Sequence, residues 1–558
     1  MMKAQTISLK CINTGTTIEV AGGITLSEVA RQLKPQLPFR AICARVNNKT
    51  VGLDYAVYSP KKVEYLPKTT ASGERVYIRS LCMVLYLAVH ELCDGAGLRI
   101  DHSLSRGYFC HLTGVESVSA ELIGRLRARM QDIIDRDLAF ERHERLTDEV
   151  IEIFEKQGLD DKAGLLRTTH ELYTVYYSLD GLCDSYYGNL APSTGHLDVF
   201  DLVPYKDGML LLGFEPERPD EARRPIAQEK MYKAFTDYVK FNHVLGVHNV
   251  AQLNQVVLHG YTPQLINVAE ALHDKALARI SDEITRRYQG GGARVVLLAG
   301  PSSSGKTTTN KRLAIQLMTN LLKPQMISLD DYFVDREHTP RDASGEYDYE
   351  SLYALDLELF NSDLKRIISG ERVELPTYNF ESGRREYNGK SIQLGENSIL
   401  LIEGIHGLNP ELTSQIPEEM KYRVYVSALT TITIDDHNWI STTDNRLLRR
   451  IIRDHKYRGT SATETIRRWP SVRRGEERWI FPYQENADAT FNSSLLFELG
   501  VVKVQAEEIL KRVPHDVAEY SEAYRLLRFL SYFEPIGADL IPTTSLLREF
   551  LGGSSFKY

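Results

Sequence analysis

The run Arg294-Val-Val-Leu-Leu-Ala-Gly-Pro-Ser-Ser-Ser-Gly-Lys-Thr-Thr-Thr holds the most specific chemistry-bearing pattern of the chain. It fits Gly-x-x-x-x-Gly-Lys-Thr from Gly300 to Thr307. Glycines in such a turn let backbone N–H groups close around phosphate oxygens, and the helix that follows adds positive potential at its start. Lys306 would bridge terminal phosphates and the Thr307 hydroxyl would ligate Mg²⁺. Gly300, Ser302, Ser303, Ser304, Gly305, Lys306, Thr307 and Thr308 are therefore the expected ATP-binding residues, and ATP and Mg²⁺ the implied cofactors.

Two carboxylate-bearing runs follow. Met326-Ile-Ser-Leu-Asp-Asp-Tyr-Phe sets Asp330 and Asp331 at the end of an apolar stretch, and Ile399-Leu-Leu-Ile-Glu does the same for Glu403. In doubly wound α/β sheets the site lies at the carboxyl ends of the strands. Carboxylates there can hold Mg²⁺ and take a proton from an acceptor hydroxyl. Either aspartate could be the base, and a plain helix-capping role is the alternative for both.

A third segment is basic. Ten arginines and Lys456 face four acids between Arg446 and Arg478, a net +7 in 33 residues of a chain whose total is −8. Arg446, Arg449, Arg450 and Arg453 share one helical face. A stripe of one sign repels itself and calls for an anion, either nucleotide phosphates or an RNA backbone.

The elements that would position these groups are legible from patterning. Val295–Ala299 and Tyr422–Val426 read, with the two carboxylate-bearing runs, as buried parallel strands. Leu313, Leu317 and Leu321, flanked by Ala314 and Met318, give the next helix an apolar stripe. Gly290-Gly-Gly marks a boundary after a mostly helical connector. Ahead of it, 5–67 reads as short strands around one helix capped by Thr25 and Glu28. Helices Ser80–Leu92 and Val118–Asp137 lie in the stretch that follows.

The chain has 558 residues, 42% hydrophobic and 25% charged, which bounds it to three or four globular domains. Its net-acidic balance argues against a nucleic-acid or membrane coat. Six scattered cysteines without a C-x-x-C pair, no apolar leader and no long apolar run lead to the expectation of a cytoplasmic protein that does not enter a membrane.

Gly300–Thr309, Ile327–Phe333, Leu375–Phe380, Leu401–Ile405 and Arg446–Asp454, in this order, resemble the uridine kinase/phosphoribulokinase family over roughly 291–510. The resemblance implies an ATP-dependent phosphotransferase acting on an alcohol group of a nucleoside or related small metabolite. It puts Asp330 on the catalytic base, Glu403 on a second magnesium carboxylate beside Thr307 and Asp330, and Arg450, Arg453 and Arg458 on lid arginines. Tyr378 and Phe380 fall in the acceptor loop, and Tyr332, Tyr353, Arg384 and Arg468 are further expected acceptor contacts. The family's pyrimidine-reading positions differ: a ribose-holding Asp falls in Ser351-Leu-Tyr353, a His on Gly383, a lid Arg on Thr460 and a Gln on Arg468.

The start of the chain resembles the TGS β-grasp module (1–68) and the tRNA-editing domain of threonyl-tRNA synthetases (69–215), with a connector at 216–290 and a helical tail at 511–558. The editing residues have gone: Arg79 and Met83 replace one pair, Cys183 keeps only Tyr187 beside it, and His196 stands alone. The expected architecture is thus a multidomain α+β and α/β chain, with a P-loop kinase domain of parallel-sheet type at its C-terminal end. A homo-oligomer is also expected. The alternative function is a nucleotide-gated tRNA- or ribosome-binding regulator.

Overall fold

A computed structural model describes residues 6–33, 36–342 and 345–557. After the triple glycine the chain forms β1 (Val295–Ala299), α1 (Lys306–Thr319), β2 (Lys323–Ser328), α2 (Leu357–Ile368), the hairpin β3 (Val373–Asn379) and β4 (Arg384–Ile392), then β5 (Ser398–Glu403) and β6 (Lys421–Ser427). Helices α3 (Thr442–Arg458) and α4 (Ala462–Trp479), strand β7 (Ala489–Asn492), and helices α5 (Glu498–Leu510), α6 (Tyr520–Leu530) and α7 (Arg548–Leu551) complete it. One sheet of order β2-β5-β1-β6-β7 is parallel throughout. All five residues of β1 are buried, as a strand covered on both faces requires. The sheet pairs Ser328 with Glu403, so the ends of β2 and β5 bring both carboxylate runs to one edge.

The apolar stripe of α1 is shorter than expected. Leu313, Ala314 and Leu317 are buried, but Met318 is exposed and Leu321 is 83% exposed, beyond the helix end. Leu321 takes a left-handed turn (φ 64°) that lets the Leu322 N–H reach back to Leu317 O at 3.0 Å, which reverses the chain toward β2. Upstream, a short hairpin, Phe214–Glu215 with Arg218–Ala222, straddles the boundary expected at 215, and the helical connector begins only at Glu229. Its last helix, Thr262–Gln289, packs on α1, where Arg312 meets Glu270 (3.2 Å) and Asp274 (2.8 Å).

At the start of the chain, Leu26–Leu33 packs with a mixed five-stranded sheet whose strands Thr6–Cys11 and Lys61–Pro67 run parallel. Its cap is reciprocal: the Thr25 N–H donates to Glu28 at 2.8 Å and the Glu28 N–H to Thr25 Oγ1 at 3.3 Å. The region after it is built around the buried helix Ala71–Leu92. Among the described residues no group of three or more His, Cys, Asp or Glu could hold a metal ion. Arg79 instead lays its guanidinium over the Tyr187 ring (4.8 Å), and Met83 is fully buried. The six cysteines are unpaired, and no described helix is long and apolar enough to cross a membrane.

The segment between β6 and α3 reaches into this second region. Trp439 joins its core beside Tyr108 (4.4 Å). Lys162 Nζ lies 2.8 Å from Asp435 and 2.9 Å from Asp184, and Asp184 holds His437 Nδ1 at 2.8 Å, all four groups being buried. Burial would raise the Asp184 carboxyl, yet Lys162 and His437 together hold it below the ordinary range. Lys162→Met leaves two buried carboxylates facing each other, so urea unfolding should show a loss of about 3–5 kcal/mol. A loss confined to a few tenths would mean that the halves are not joined through this ion cluster.

Candidate active site

The phosphate loop is shaped by close approach and by two left-handed residues. A β-carbon on Gly300 would lie 1.9 Å from Val426 O of β6, so only glycine lets the loop leave the sheet there. Ser303 (φ 59°) and Gly305 (φ 83°) then curl the backbone so that N–H groups turn inward. Lys306 folds over the loop and donates to Gly300 O (3.0 Å) and Pro301 O (3.1 Å). Burial lowers its pKa against the opposing pull of Glu403 and Asp330.

The Thr307 hydroxyl donates to Glu403 Oε1 at 3.1 Å, while Glu403 Oε2 is buried without a hydrogen-bond partner. Burial pushes this carboxyl up to about 7. A hydroxyl beside an orphaned carboxylate oxygen offers the hard donors that Mg²⁺ takes, so the residues fit that ion.

Asp330 and Asp331 sit in a 3₁₀ turn, Leu329–Tyr332, that Ser328 caps by accepting the Asp330 N–H (3.3 Å). The cap is therefore the serine, and both carboxylates are available for other work. They point different ways: Asp331 faces the β3–β4 hairpin and Lys390 (3.8 Å), whereas Asp330 has no ion pair within 4 Å among the described residues. Asp330 is exposed to water yet crowded by protein. Crowding raises its pKa, and Lys306, Arg458 and Arg453 pull the other way.

The arginine stripe divides in two. Arg446 is buried in a bidentate pair with Glu476 of α4 and also donates to Ser302 O (3.0 Å). Arg449 is buried against Glu498 of α5, Ser493 O (2.8 Å) and Ser303 O (3.4 Å). These two carry structure, a correction to the stripe read as wholly anion-seeking. Arg450, Arg453 and Arg458 share one carboxylate, Asp454, at 3.2, 3.0 and 3.4 Å. Arg450 also donates to Ser302 Oγ at 2.8 Å. Three cations on one anion, next to the loop, leave positive charge unbalanced there.

The expected acceptor contacts separate likewise. Tyr332 is a core residue: its hydroxyl donates to Asp363 (3.2 Å) and its ring packs edge-on to Phe360 (5.1 Å). Arg468 points outward and is held by Glu464 one turn back (2.8 Å). Arg384 is exposed at the end of the hairpin, opposite Asn379. Tyr353 and Phe380 are exposed, Tyr353 meeting Glu411 (3.4 Å) and the edge of Trp479 (5.7 Å). Tyr378 is buried behind Phe380 (5.0 Å) with its hydroxyl unpartnered. Gly383 admits no side chain, since Arg336 Nε would lie 2.7 Å from a β-carbon there.

Glu350 escaped the sequence reading. It packs its stem on Gly475 of α4, leaves Oε2 buried without a partner, and is pushed up to about 7 by burial and by Glu476, with Arg450 and Lys306 opposing. The available signal was an acid directly before Ser351-Leu-Tyr353, the stretch that lacks the family's ribose-holding Asp.

Residues 295–495 match the Phosphoribulokinase / Uridine kinase family, so the C-terminal part of the chain is a domain of that family. Uridine kinase of Staphylococcus aureus (strain JH9) is 29% identical over 217 residues, 38% of this chain and 95% of that protein. Threonine–tRNA ligase of Carboxydothermus hydrogenoformans is 30% identical over 198 residues in the N-terminal region, 35% of this chain. The chain spans 31% of that ligase. A solved structure described as a possible uridine kinase from Bacillus stearothermophilus aligns at 17% identity over 38% of this chain and 97% of its own, with a TM-score of 0.26.

The division of the arginines can be measured. Arg446→Ala takes the bidentate partner from buried Glu476, leaving it Arg473 and the Ser302 N–H, and should cost about 3 kcal/mol in urea unfolding. Arg453→Ala, part-exposed and sharing its partner, should cost under about 1 kcal/mol while weakening ATP binding. The reverse order of stability losses would reject the assignment. Glu403 supplies a pH test. Its folded carboxyl holds a proton more tightly than the unfolded chain does (about 7 against 4.5), so its contribution to stability is full below 4.5 and is lost as pH rises through 7. Glu403→Gln mimics the protonated form and should stabilise the nucleotide-free protein by about 3 kcal/mol at alkaline pH. No gain there, or the same gain in acid, would show that burial does not strain this carboxylate.

Proposed function

We propose that the protein is an ATP- and Mg²⁺-dependent kinase that transfers the γ-phosphoryl group to a hydroxyl of a nucleoside or related small metabolite. The observation that carries this reading is Asp330, an exposed carboxylate with no ion pair within 4 Å among the described residues, under the influence of Lys306, Arg453 and Arg458. As the acceptor oxygen bonds to phosphorus, Asp330 takes the hydroxyl proton, and the bond to the leaving ADP oxygen breaks. Lys306 with Arg450, Arg453 and Arg458 carries the charge spread over the phosphoryl oxygens. Thr307 and Glu403, with Asp330 near, would hold the Mg²⁺ that neutralises the phosphate chain when bound. Tyr353, Phe380 and Arg384 line the acceptor side in this reading, with Glu350 at its inner end. Uridine and cytidine are not presumed, because the positions that read a pyrimidine differ.

The N-terminal units are read as a β-grasp module and an editing-like domain that serve as a docked partner of the kinase. The likeness to a threonine–tRNA ligase favours one second reading, nucleotide-gated binding of tRNA or the ribosome. Salt-dependent tRNA binding by the full chain is its test.

For the kinase reading, ATP consumption is screened across nucleosides, sugars and hydroxyl-bearing amino acids. Wild type should turn over with at least one of these classes, and Asp330→Asn should lose about 100-fold or more in kcat with ATP affinity retained. Equal turnover in the variant would remove Asp330 from the role of base.

A further inference from the structure

The C-terminal segment sets a carboxylate on the phosphate loop itself. Oε2 of Glu549, in α7, accepts the Thr308 N–H at 3.2 Å and the Thr308 hydroxyl at 2.7 Å. Thr308 is the third residue of α1, and its N–H belongs to the group that a helix start leaves unbonded. Those are the donors through which a loop of this kind holds phosphate. The charge of Glu549 is felt at both Lys306 and Glu403.

The rest of the segment is tied to both sides of the cleft. Leu546 lies against Gly305, where a β-carbon would meet its Cδ2 at 2.6 Å. Leu546 and Phe550 are fully buried among residues of β1, α1 and β6. The Phe550 ring sits 5.0 Å from the Arg449 guanidinium, and Lys456 of α3 donates to Leu551 O.

A carboxylate at a helix N-terminus is favourable while the loop is empty. A nucleotide phosphate needs the same donors and brings the same sign of charge, so both cannot stay. Resting on the kinase reading above, we propose that Glu549 is a built-in competitor for nucleotide, seated on Thr308 in the free protein and displaced when ATP binds. Leu546, buried ahead of the helix, confines the displacement to the Glu549 side chain and a loosening of the short helix that also carries Phe550.

The test titrates ATP with Mg²⁺, and in a separate arm inorganic triphosphate, into full-length wild type, Glu549→Gln and Glu549→Ala. Each variant is first checked by thermal melting. Both should bind ATP about tenfold more tightly than wild type, and triphosphate with a similar gain, because the contest is for the phosphate position. Hydrogen exchange on the wild-type chain gives a second readout that needs no variant: ATP should speed exchange at Arg548–Gly552. Equal ATP affinity in all three proteins with unchanged exchange would overturn the inference and leave the kinase reading standing. Weaker binding by the variants would make Glu549 a ligand of the nucleotide and overturn it as well. No ATP binding by any of the three would remove this inference and the kinase reading together.

Discussion

Two buried arginine–carboxylate pairs clamp helix α3 to the phosphate loop, and the rest of the site depends on that clamp. Burying such pairs carries a desolvation cost that ion pairing alone barely offsets. Here the remaining hydrogen-bonding capacity goes to the loop: Arg446 reaches Ser302 O, Arg449 reaches Ser303 O, and the Ser302 N–H donates back to Glu476 (3.1 Å). A loop with two left-handed residues and a glycine pressed on Val426 O has little local preference for its own shape. External bonds define it instead. Because α3 is rigid, fixing Arg446 and Arg449 also fixes Arg450, Arg453 and Arg458 on the following turns. The three arginines that share Asp454 are thus positioned by two that are themselves tied to the loop.

The same economy joins the halves of the chain. Where the editing-domain resemblance would place a metal-binding pair, Arg79 packs on Tyr187 and Met83 is sealed in the core. Asp184 of that region has become a structural anion shared by Lys162 and His437, the latter supplied by the segment between β6 and α3. That segment leads directly into the arginine helix. The N-terminal regions therefore meet the start of α3 through packing and through this buried ion cluster.

What could be read from the sequence was whatever is local along it. Gly300, Gly305, Lys306 and Thr307 are contiguous because a loop and a helix start form a phosphate-binding pattern by themselves. Continuous apolar runs placed β1, β5 and β6, whereas the edge strand β2 buries only Ile327, against the expectation of a buried strand there. Long-range pairing was hidden. Glu476 and Glu498 stand 30 and 49 residues from the arginines they neutralise, so the stripe on α3 looked uniformly unpaired. Tyr332 follows a catalytic-looking pair of aspartates yet turns inward, because the 3₁₀ turn at Leu329 directs its ring to Phe360. Glu350 and Glu549 carry no motif, and only the fold brings them beside Lys306. Leu321 matched the helical spacing, but the left-handed turn that ends α1 is a backbone property with no side-chain signature.

Partner by partner, the positive charge of Arg446–Arg478 shrinks. Arg467 is held by Glu519, Arg468 by Glu464, Arg473 by Glu476 and Glu477, and Arg474 by Asp342. What remains is the trio on Asp454, Lys456, which donates to Leu551 O, and the exposed Arg478, whose guanidinium lies over the Trp479 ring. Beside that trio the cleft holds Glu350 and Glu403, both pushed up to about 7, while burial lowers Arg450 and Arg458. Groups of both signs are thus poorly solvated at once, and neither a lone anion nor a lone cation relieves both. A phosphate chain carrying a divalent cation does, giving the arginines an anion and the carboxylates a cation in a single binding event. Such a mixed field is complementary to a metal–polyphosphate pair, and that complementarity, more than net charge, is what the proposed phosphoryl transfer draws on.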